Sequence, residues 1–284
     1  MKKHLLLLLL ILMIALPGLL GAKDKNFIFM ASTIGPIDAG IVGALEAGFE
    51  KDTGIRVRHV GAGTGAALDI ARKCNIDLVM VHAKALEEKF IADGYGTERI
   101  PLMYNDFVIV GPMSDPAGIK GMKTAREALK KISATGSIFI TRGDKSGTHV
   151  AEMDLWKTAG IKPAGPWYVT YEKGAEGNAP TLRFTDQKGA YTVIDRATVL
   201  ALKKDIKIEI LVAGDEALLN RISLIPVNPR KCPKANLQES MIFVKWLTDP
   251  EKGQKIIQTF GVKEYGNPMF FPDSIPWRES RGVK

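Results

Sequence analysis

Histidine and cysteine are scarce in this chain. Four histidines and two cysteines occur in 284 residues, and His4 falls in the apolar N-terminal stretch. The remaining His59, His82 and His149 lie far apart, and neither H-E-x-x-H nor a paired C-x-x-C is present, which removes the common zinc sites. Blocks of like charge are missing too: despite a net charge of +8, no run of five or more cations appears, so a nucleic-acid-binding stripe is unsupported. Ser146 lacks a G-x-S-x-G elbow, because Asp144 and Thr148 occupy the required glycine offsets, and this argues against a serine hydrolase. No solenoid-period repeat is visible, and no low-complexity segment lies beyond the N-terminus.

The chain opens MKKHLLLLLLILMIALPGLLGAKDK. Two lysines, an apolar run from Leu5 to Leu16, Pro17 and the small pair Gly21-Ala22 predict a signal peptide over residues 1–22, cleaved after Ala22. An uncleaved anchor is the alternative, but the apolar run is short of the roughly 20 residues a span needs. Cleavage removes Lys2 and Lys3 and takes the net charge from +8 to +6 over residues 23–284. The scattered positive excess suits attraction of small anions. No cysteine near the junction can carry a lipid. Cys74 and Cys232 are the only pair, and the sequence leaves open whether they bond.

Apolar β-rich runs alternate with helical patterns, which predicts an α/β fold with mainly parallel sheets. Asn26–Met30, Ile55–Val60 and Ile76–His82 read as strands, with helices over 37–54, 66–73 and 85–93. A central block repeats the pattern at Ser137–Ile140, Tyr191–Ile194 and Ile208–Val212. Two extended segments, Asn105–Pro112 and Arg221–Pro229, bracket that block. They read as crossings between a lobe made of both chain ends (23–106 and 226–284) and a middle lobe (107–225).

Three turns share one context, strand before and helix after, with glycines and hydroxyls between: Ala31–Gly35, Gly61–Gly65 and Asp144–Thr148. Ligands in open α/β sheets sit beyond the carboxyl ends of strands, where helix N-termini offer backbone N–H groups to an anion. Each turn alone reads equally as an ordinary helix cap. Arg142 adds a planar fork of charged donors beside the third turn, and its bland alternative is a salt bridge to Asp144. Gly61-Ala62-Gly63-Thr64-Gly65-Ala66 also fits the relaxed G-x-G-x-x-A dinucleotide pattern. That pattern wants an acid at the end of the next strand, whereas Asp77 stands at its start and His82-Ala83-Lys84 follow its end.

The combination of Arg142-Gly143-Asp144-x-Ser146-Gly147-Thr148-His149 with Asn105-Asp106-Phe107-Val108-x-Val110-Gly111-Pro112 resembles the periplasmic tungstate-binding proteins of ABC transporters. These fall within the type II solute-binding superfamily. Phe49–Ile55, the GTG turn and Tyr191–Thr198 extend the likeness from Ala31 to about Pro272. The resemblance implies a type II periplasmic-binding-protein fold of two α/β lobes joined by two crossing strands. It implies a non-enzymatic receptor with no cofactor and no metal, working as a monomer that presents an unhydrated tetrahedral oxyanion to a membrane permease. Carried over by position, the ligand set is Ser32, Thr33, Thr64, Arg142, Ser146, Gly147 and Thr148. Tyr191 and Arg196 match as wall or support residues, with Asp195 or Asp186 as alternative partners for Arg196. The family's first turn carries more hydroxyls than Ser32-Thr33-Ile34-Gly35, which puts the choice of tungstate over molybdate or another oxyanion in question; Ile34 is expected to turn into the lobe core. The segment Tyr171–Pro180 also departs from the family pattern. A sensory subunit on the same fold, and a binder that has lost its ligand, are the other readings.

Overall fold

The computed structural model describes residues 27–144 and 146–282. The expected signal peptide lies outside the described residues. Among them, no helix is long and apolar enough to cross a membrane.

The first half begins with β1 (Phe27–Thr33), α1 (Ile34–Asp38), α2 (Ile41–Thr53), β2 (Arg56–Ala62), α3 (Thr64–Arg72), β3 (Leu78–Val81) and α4 (Lys84–Ala92). β4 (Ile100–Gly111) then leads into α5 (Ala125–Thr135), β5 (Phe139–Thr141), α6 (Gly147–Thr158), β6 (Tyr168–Thr170), α7 (Asn178–Lys188), β7 (Thr192–Asp195), α8 (Arg196–Ala201) and β8 (Glu209–Val212). β9 (Leu219–Pro226), α9 (Leu237–Thr248), α10 (Gly253–Thr259), α11 (Val262–Tyr265), β10 (Phe271–Pro272) and α12 (Ile275–Ser280) complete the chain. The single helix expected over 37–54 is two, because Gly40 adopts a left-handed conformation (φ 86°) that ends one turn and starts the next.

One sheet runs β10-β4-β9-β3-β1-β2. β1 pairs parallel with β2 and β3, as strand–helix units require, whereas β9 runs antiparallel to both β3 and β4. β3 is central, and its four residues, LVMV, are all buried. The second half hangs on the far end of β4, where Phe107–Val110 pair with β7 and Ile109–Gly111 with β8. β5 joins β7 through backbone bonds around Tyr191 and pairs parallel with β6. β4 thus serves both sheets, changing partners between Asp106 and Phe107.

The cores follow this division. Ile28, Met30, Phe49, Leu224, Phe243 and Trp246 belong to the first half, with the Phe49 and Phe243 rings 4.6 Å apart. Ile109, Leu129, Phe139, Trp156 and Tyr191 belong to the second. The return boundary expected at 225 falls inside β9. Residues 219–226 pair with β3 and the first half of β4, and Ile222, Leu224 and Ile225 are buried in first-half clusters, so the register moves the return crossing to about Leu219. β9 ends at Pro226, three residues before the proline that closes the Arg221–Pro229 segment.

Cys74, just after α3, is bonded to Cys232, beyond β9, closing a sequence separation of 158 residues. A cross-link over so long a loop restricts the unfolded chain, with an ideal effect of about 5 kcal/mol and a usual one of 2–4. Replacing both cysteines by serine should therefore lower the unfolding free energy by roughly 2–5 kcal/mol. Urea titration would read this as a lower midpoint. An unchanged midpoint would remove the bond from the list of stabilising features.

Candidate functional site

β1 lies between β2 and β3, and its last side chains are enclosed. Ser32 is 0% and Thr33 2% exposed. The Ser32 hydroxyl reaches only the Thr33 carbonyl, at 3.4 Å, and Thr33 Oγ1 is buried with no hydrogen-bond partner. An unpaired buried hydroxyl costs on the order of 1–3 kcal/mol, so this atom marks a place where a partner is wanted. Thr33 also stands at the N-cap position of α1, yet makes no side-chain cap bond. The parallel register sets Ser32 beside Gly61 and Thr33 beside Ala62. Two residues on, Thr64 opens α3, whose N-terminus likewise has no side-chain cap. Added Cβ atoms at Gly35, Gly63 and Gly65 would meet nothing within 4 Å, so the space in front of both helix starts is open.

Ile34 does not turn into the core. It is 51% exposed at the first position of α1, its side chain lying over Gly61. The buried face of this five-residue helix is given by Pro36, and one turn cannot bury Ile34 as well.

The third turn is built differently. Ser146 caps α6, its hydroxyl accepting from His149 N–H at 3.4 Å, while its own N–H donates to Asp144 Oδ1 at 3.1 Å. The cap reading therefore holds for Ser146 in this state. Gly147 opens α6 with no atom within 4 Å of an added Cβ, and Thr148 is 8% exposed.

Arg142 is not a solvated surface cation, since its side chain is 11% exposed. Nη2 donates to Asp144 Oδ2 at 2.5 Å, Nε to the Gly174 carbonyl at 3.2 Å, and Nη1 to Asn178 Oδ1. Gly174 permits the crossing, because a Cβ there would stand 2.0 Å from the Arg142 carbonyl oxygen. Burial acts to raise the Asp144 carboxyl, but hydrogen bonds from Ser146 and the Arg142 charge outweigh it and hold the group below the usual carboxylate range.

Tyr191 is fully buried, donating to Asp115 Oδ1 at 2.8 Å and accepting from Ala117 N–H at 2.9 Å. Its backbone brackets β5 by bonds to Ile138 and Ile140, so it supports the strand that delivers Arg142. Arg196 pairs with neither Asp195 nor Asp186. Both its Nε and Nη2 donate to Asp106, Nε at 2.7 Å, while Asp195 caps α8 and Asp186 accepts from the Lys207 and Ile208 N–H groups. The reason is topological: Asp195 pairs with Phe107 in β4, which brings the next residue beside Asp106.

Among the described residues, no hydrogen bond or ion pair of Ser32, Thr33, Thr64, Arg142, Ser146 or Thr148 joins the first-half set to the second-half set. Each set is held by its own half. Asp77, the only acid on the strand after GAGTGA, accepts from Phe29 N–H at 2.8 Å and Asn236 N–H at 2.7 Å, so its carboxylate is occupied in holding the sheet.

Two further groups matter that the motifs do not reveal, Asn178 and Glu152, and Asp106, inside the Asn105–Pro112 motif, matters as the partner of Arg196. Glu152 is 2% exposed, one turn beyond Thr148 on the same face of α6. It accepts from Trp156 Nε1 at 3.1 Å and from the Tyr168 hydroxyl at 2.7 Å. A glutamate in a helix reads as surface, and only the helix register against Trp156 would have hinted otherwise.

The chain belongs to the PBP superfamily, whose domain profile matches residues 25–251. Within it, the chain is 41% identical to the tungstate-binding protein TupA of Peptoclostridium acidaminophilum over 89% of this chain and 87% of that one. It is also 41% identical to a putative ABC transporter anion-binding protein of Haloferax volcanii, over 90% of this chain and 74% of the relative. The solved tungstate-binding protein TupA of Desulfovibrio alaskensis G20 superposes with a TM-score of 0.80 at 41% identity, covering 87% of this chain and 99% of that one.

Burial pushes the Glu152 carboxyl from 4.5 up to about 7, against the opposing hydrogen bonds from Tyr168 and Trp156. A carboxyl raised in the fold is protonated there while ionised in the unfolded chain. Its contribution is therefore full below about pH 4.5 and is lost as pH rises through about 7. Glu152→Gln, neutral in both states, should gain stability relative to the parent across that window. Urea unfolding of both proteins from pH 4.5 to 7.5 tests this, and a constant difference would contradict the buried, protonated glutamate.

Proposed function

We propose that this chain is an extracytoplasmic solute-binding protein that captures a tetrahedral oxyanion, tungstate first, and passes it as a monomer to the permease of an ABC importer. It is a carrier, not a catalyst. The observation that carries the reading is the buried Thr33 hydroxyl without a partner, at a strand end beside two uncapped helix starts. A dianion brought there loses its hydration, and several fixed donors have to replace it. Ser32, Thr33, Thr64 and Thr148, the N–H groups at Gly147, and Arg142 supply neutral and charged donors from two halves that share β4. The oxyanion bridges the two halves, so capture and closure are one event. Similarity to proteins named for tungstate and anion binding supports the ligand class.

Calorimetric titration of residues 23–284 with tungstate, molybdate, sulfate and phosphate tests the ligand, and small-angle scattering tests closure through a smaller radius of gyration. Tight nucleotide binding without any oxyanion binding would overturn the assignment. Arg142→Ala should weaken tungstate binding about 10- to 150-fold, the loss of one charged hydrogen bond or more. Arg142→Lys should rescue in part, since it keeps charge but not the fork. Unchanged affinity in a folded alanine variant would leave Arg142 as a structural partner of Asp144.

The first turn offers a second test. Ile34 is half-exposed and Gly35 has free space, so Ile34→Thr with Gly35→Ser adds two hydroxyls with little loss of packing. The tungstate-to-molybdate affinity ratio should widen, because two nearly isosteric anions are told apart only by small differences at several donors. Competition titrations giving equal ratios in parent and double variant would show that this turn does not set selectivity.

A further inference from the structure

Arg142 has five N–H groups, and three are committed: Nε–H to Gly174, one on Nη1 to Asn178, and one on Nη2 to Asp144. One N–H on each Nη remains. Which way that remaining pair faces depends on how the guanidinium plane is held, and two of its three holders are not free to move. Gly174 is packed against the Arg142 backbone, since a Cβ added to it would stand 2.0 Å from the Arg142 carbonyl oxygen. Asn178 is backed by Asp195, to which its Nδ2 donates at 2.6 Å. Asp195 is itself fixed as the N-cap of α8, accepting from the Thr198 N–H at 2.8 Å and the Thr198 hydroxyl at 2.6 Å.

The amide is the informative choice. An asparagine accepts from a cation with its carbonyl oxygen and donates to a carboxylate with its NH2, and stays neutral while doing both. An aspartate at 178 would face Asp195 with like charge and place a second carboxylate on Arg142, which already carries Asp144. An alanine would leave one guanidinium N–H and one Asp195 lone pair without partners. Asn178 opens α7, where asparagine commonly caps, yet it is the first helical residue and no side chain caps that helix. Its side chain is turned to the bridge instead.

We propose that Asn178 is a positioning and specificity residue of the anion site: its amide, clamped between Arg142 and Asp195, sets which edge of the guanidinium is offered to the oxyanion. This rests on the reading of Arg142 as an oxyanion ligand. Asn178 touches no anion; it acts through Arg142. A planar fork discriminates between anions by the angle at which its two N–H groups meet two oxygens, so loosening the fork should cost both affinity and selectivity.

A double-mutant cycle on residues 23–284 tests this, using tungstate and molybdate as probes. Asn178→Ala should weaken tungstate binding about 5- to 30-fold and shift the tungstate-to-molybdate ratio; Asn178→Asp should weaken it further. In an Arg142→Ala background, Asn178→Ala should change affinity by less than about twofold, because the group it acts through is gone. An equal loss with and without Arg142, or a loss in Asn178→Ala with the anion ratio unchanged, would overturn the proposal. Thermal melting separates an unfolded variant from a folded weak binder, and Asn178→Ser replaces Asn178→Ala in the cycle should the latter fail to fold. If Arg142→Ala alone leaves tungstate affinity unchanged, the ligand reading of Arg142 fails, and this inference with it; if only the cycle is additive, the ligand reading stands and Asn178 does not act through it.

Discussion

The backbone ladder of β4 is the constraint from which the rest of the molecule follows. One strand of twelve residues completes the first sheet with its opening half and the second with its closing half. Its polar side chains cluster where the partners change. Asn105 accepts from Asn220 across the two crossing strands at 2.7 Å, and Asp106 takes both Nε and Nη2 of Arg196. Arg196 begins α8, and Ala197 beside it packs against the first core although the helix grows out of the second sheet. A bidentate pair of this kind has directional preference as well as strength, so it sets the angle at which α8 leaves the junction. Asp195, one residue earlier, carries the same placement to Asn178 and on to Arg142.

A site for an anion also has to keep its donors from bonding the protein. Most hydroxyls at strand–helix junctions are consumed as caps, as those of Thr124, Ser146 and Ser274 are here. Thr33 stands at such an N-cap position without a cap bond, and Thr64 follows an N-cap, Gly63, that has no side chain to spend. The difference lies in burial: Thr33 is held by pairing with Ala62 in β2, one residue beyond the last β1–β3 pair at Ser32, with its hydroxyl enclosed, so its cost is offset by the surrounding sheet and not by a local partner. The first half thus presents neutral, unspent donors. The second presents a charged donor already tied to its own acid.

Much of this is legible in the sequence, and the remainder is hidden for physical reasons. Strand–helix alternation places β1, β2, β3, β5, β7 and β8 within a few residues, because each is a short β-rich apolar run with at least one buried face. The extended segment Asn105–Pro112 falls on the closing half of β4. The return is misplaced by several residues, because a strand that crosses and a strand that has just arrived share the same apolar pattern; only register separates them. Arg196 has acids nearby in sequence, but its partner lies 90 residues away on β4. Ile34 is apolar and therefore reads as core, yet a single turn of helix has one inward face and Pro36 holds it. Asn178 stands in a segment that no motif covers, and its value comes from the acid and the cation on either side of it in space.

The acid beside the anion site has its own logic. An empty site made only of helix starts and a bare guanidinium would hold an uncompensated buried cation, whose desolvation is costly. Asp144 removes that cost in the empty protein, and hydrogen bonds from Ser146 keep the acid ionised despite burial. The pairing also weakens the pull of Arg142 on weakly interacting anions, because its charge is already half answered. Only a ligand that engages several donors at once, the unspent hydroxyls of the first half included, gains enough to compete with water. Selectivity then rests on the number and angle of donors met together, and charge alone contributes little of it. In the proposed site the neutral Thr33 hydroxyl and the neutral Asn178 amide therefore act alongside the cation held between Asp144 and Gly174.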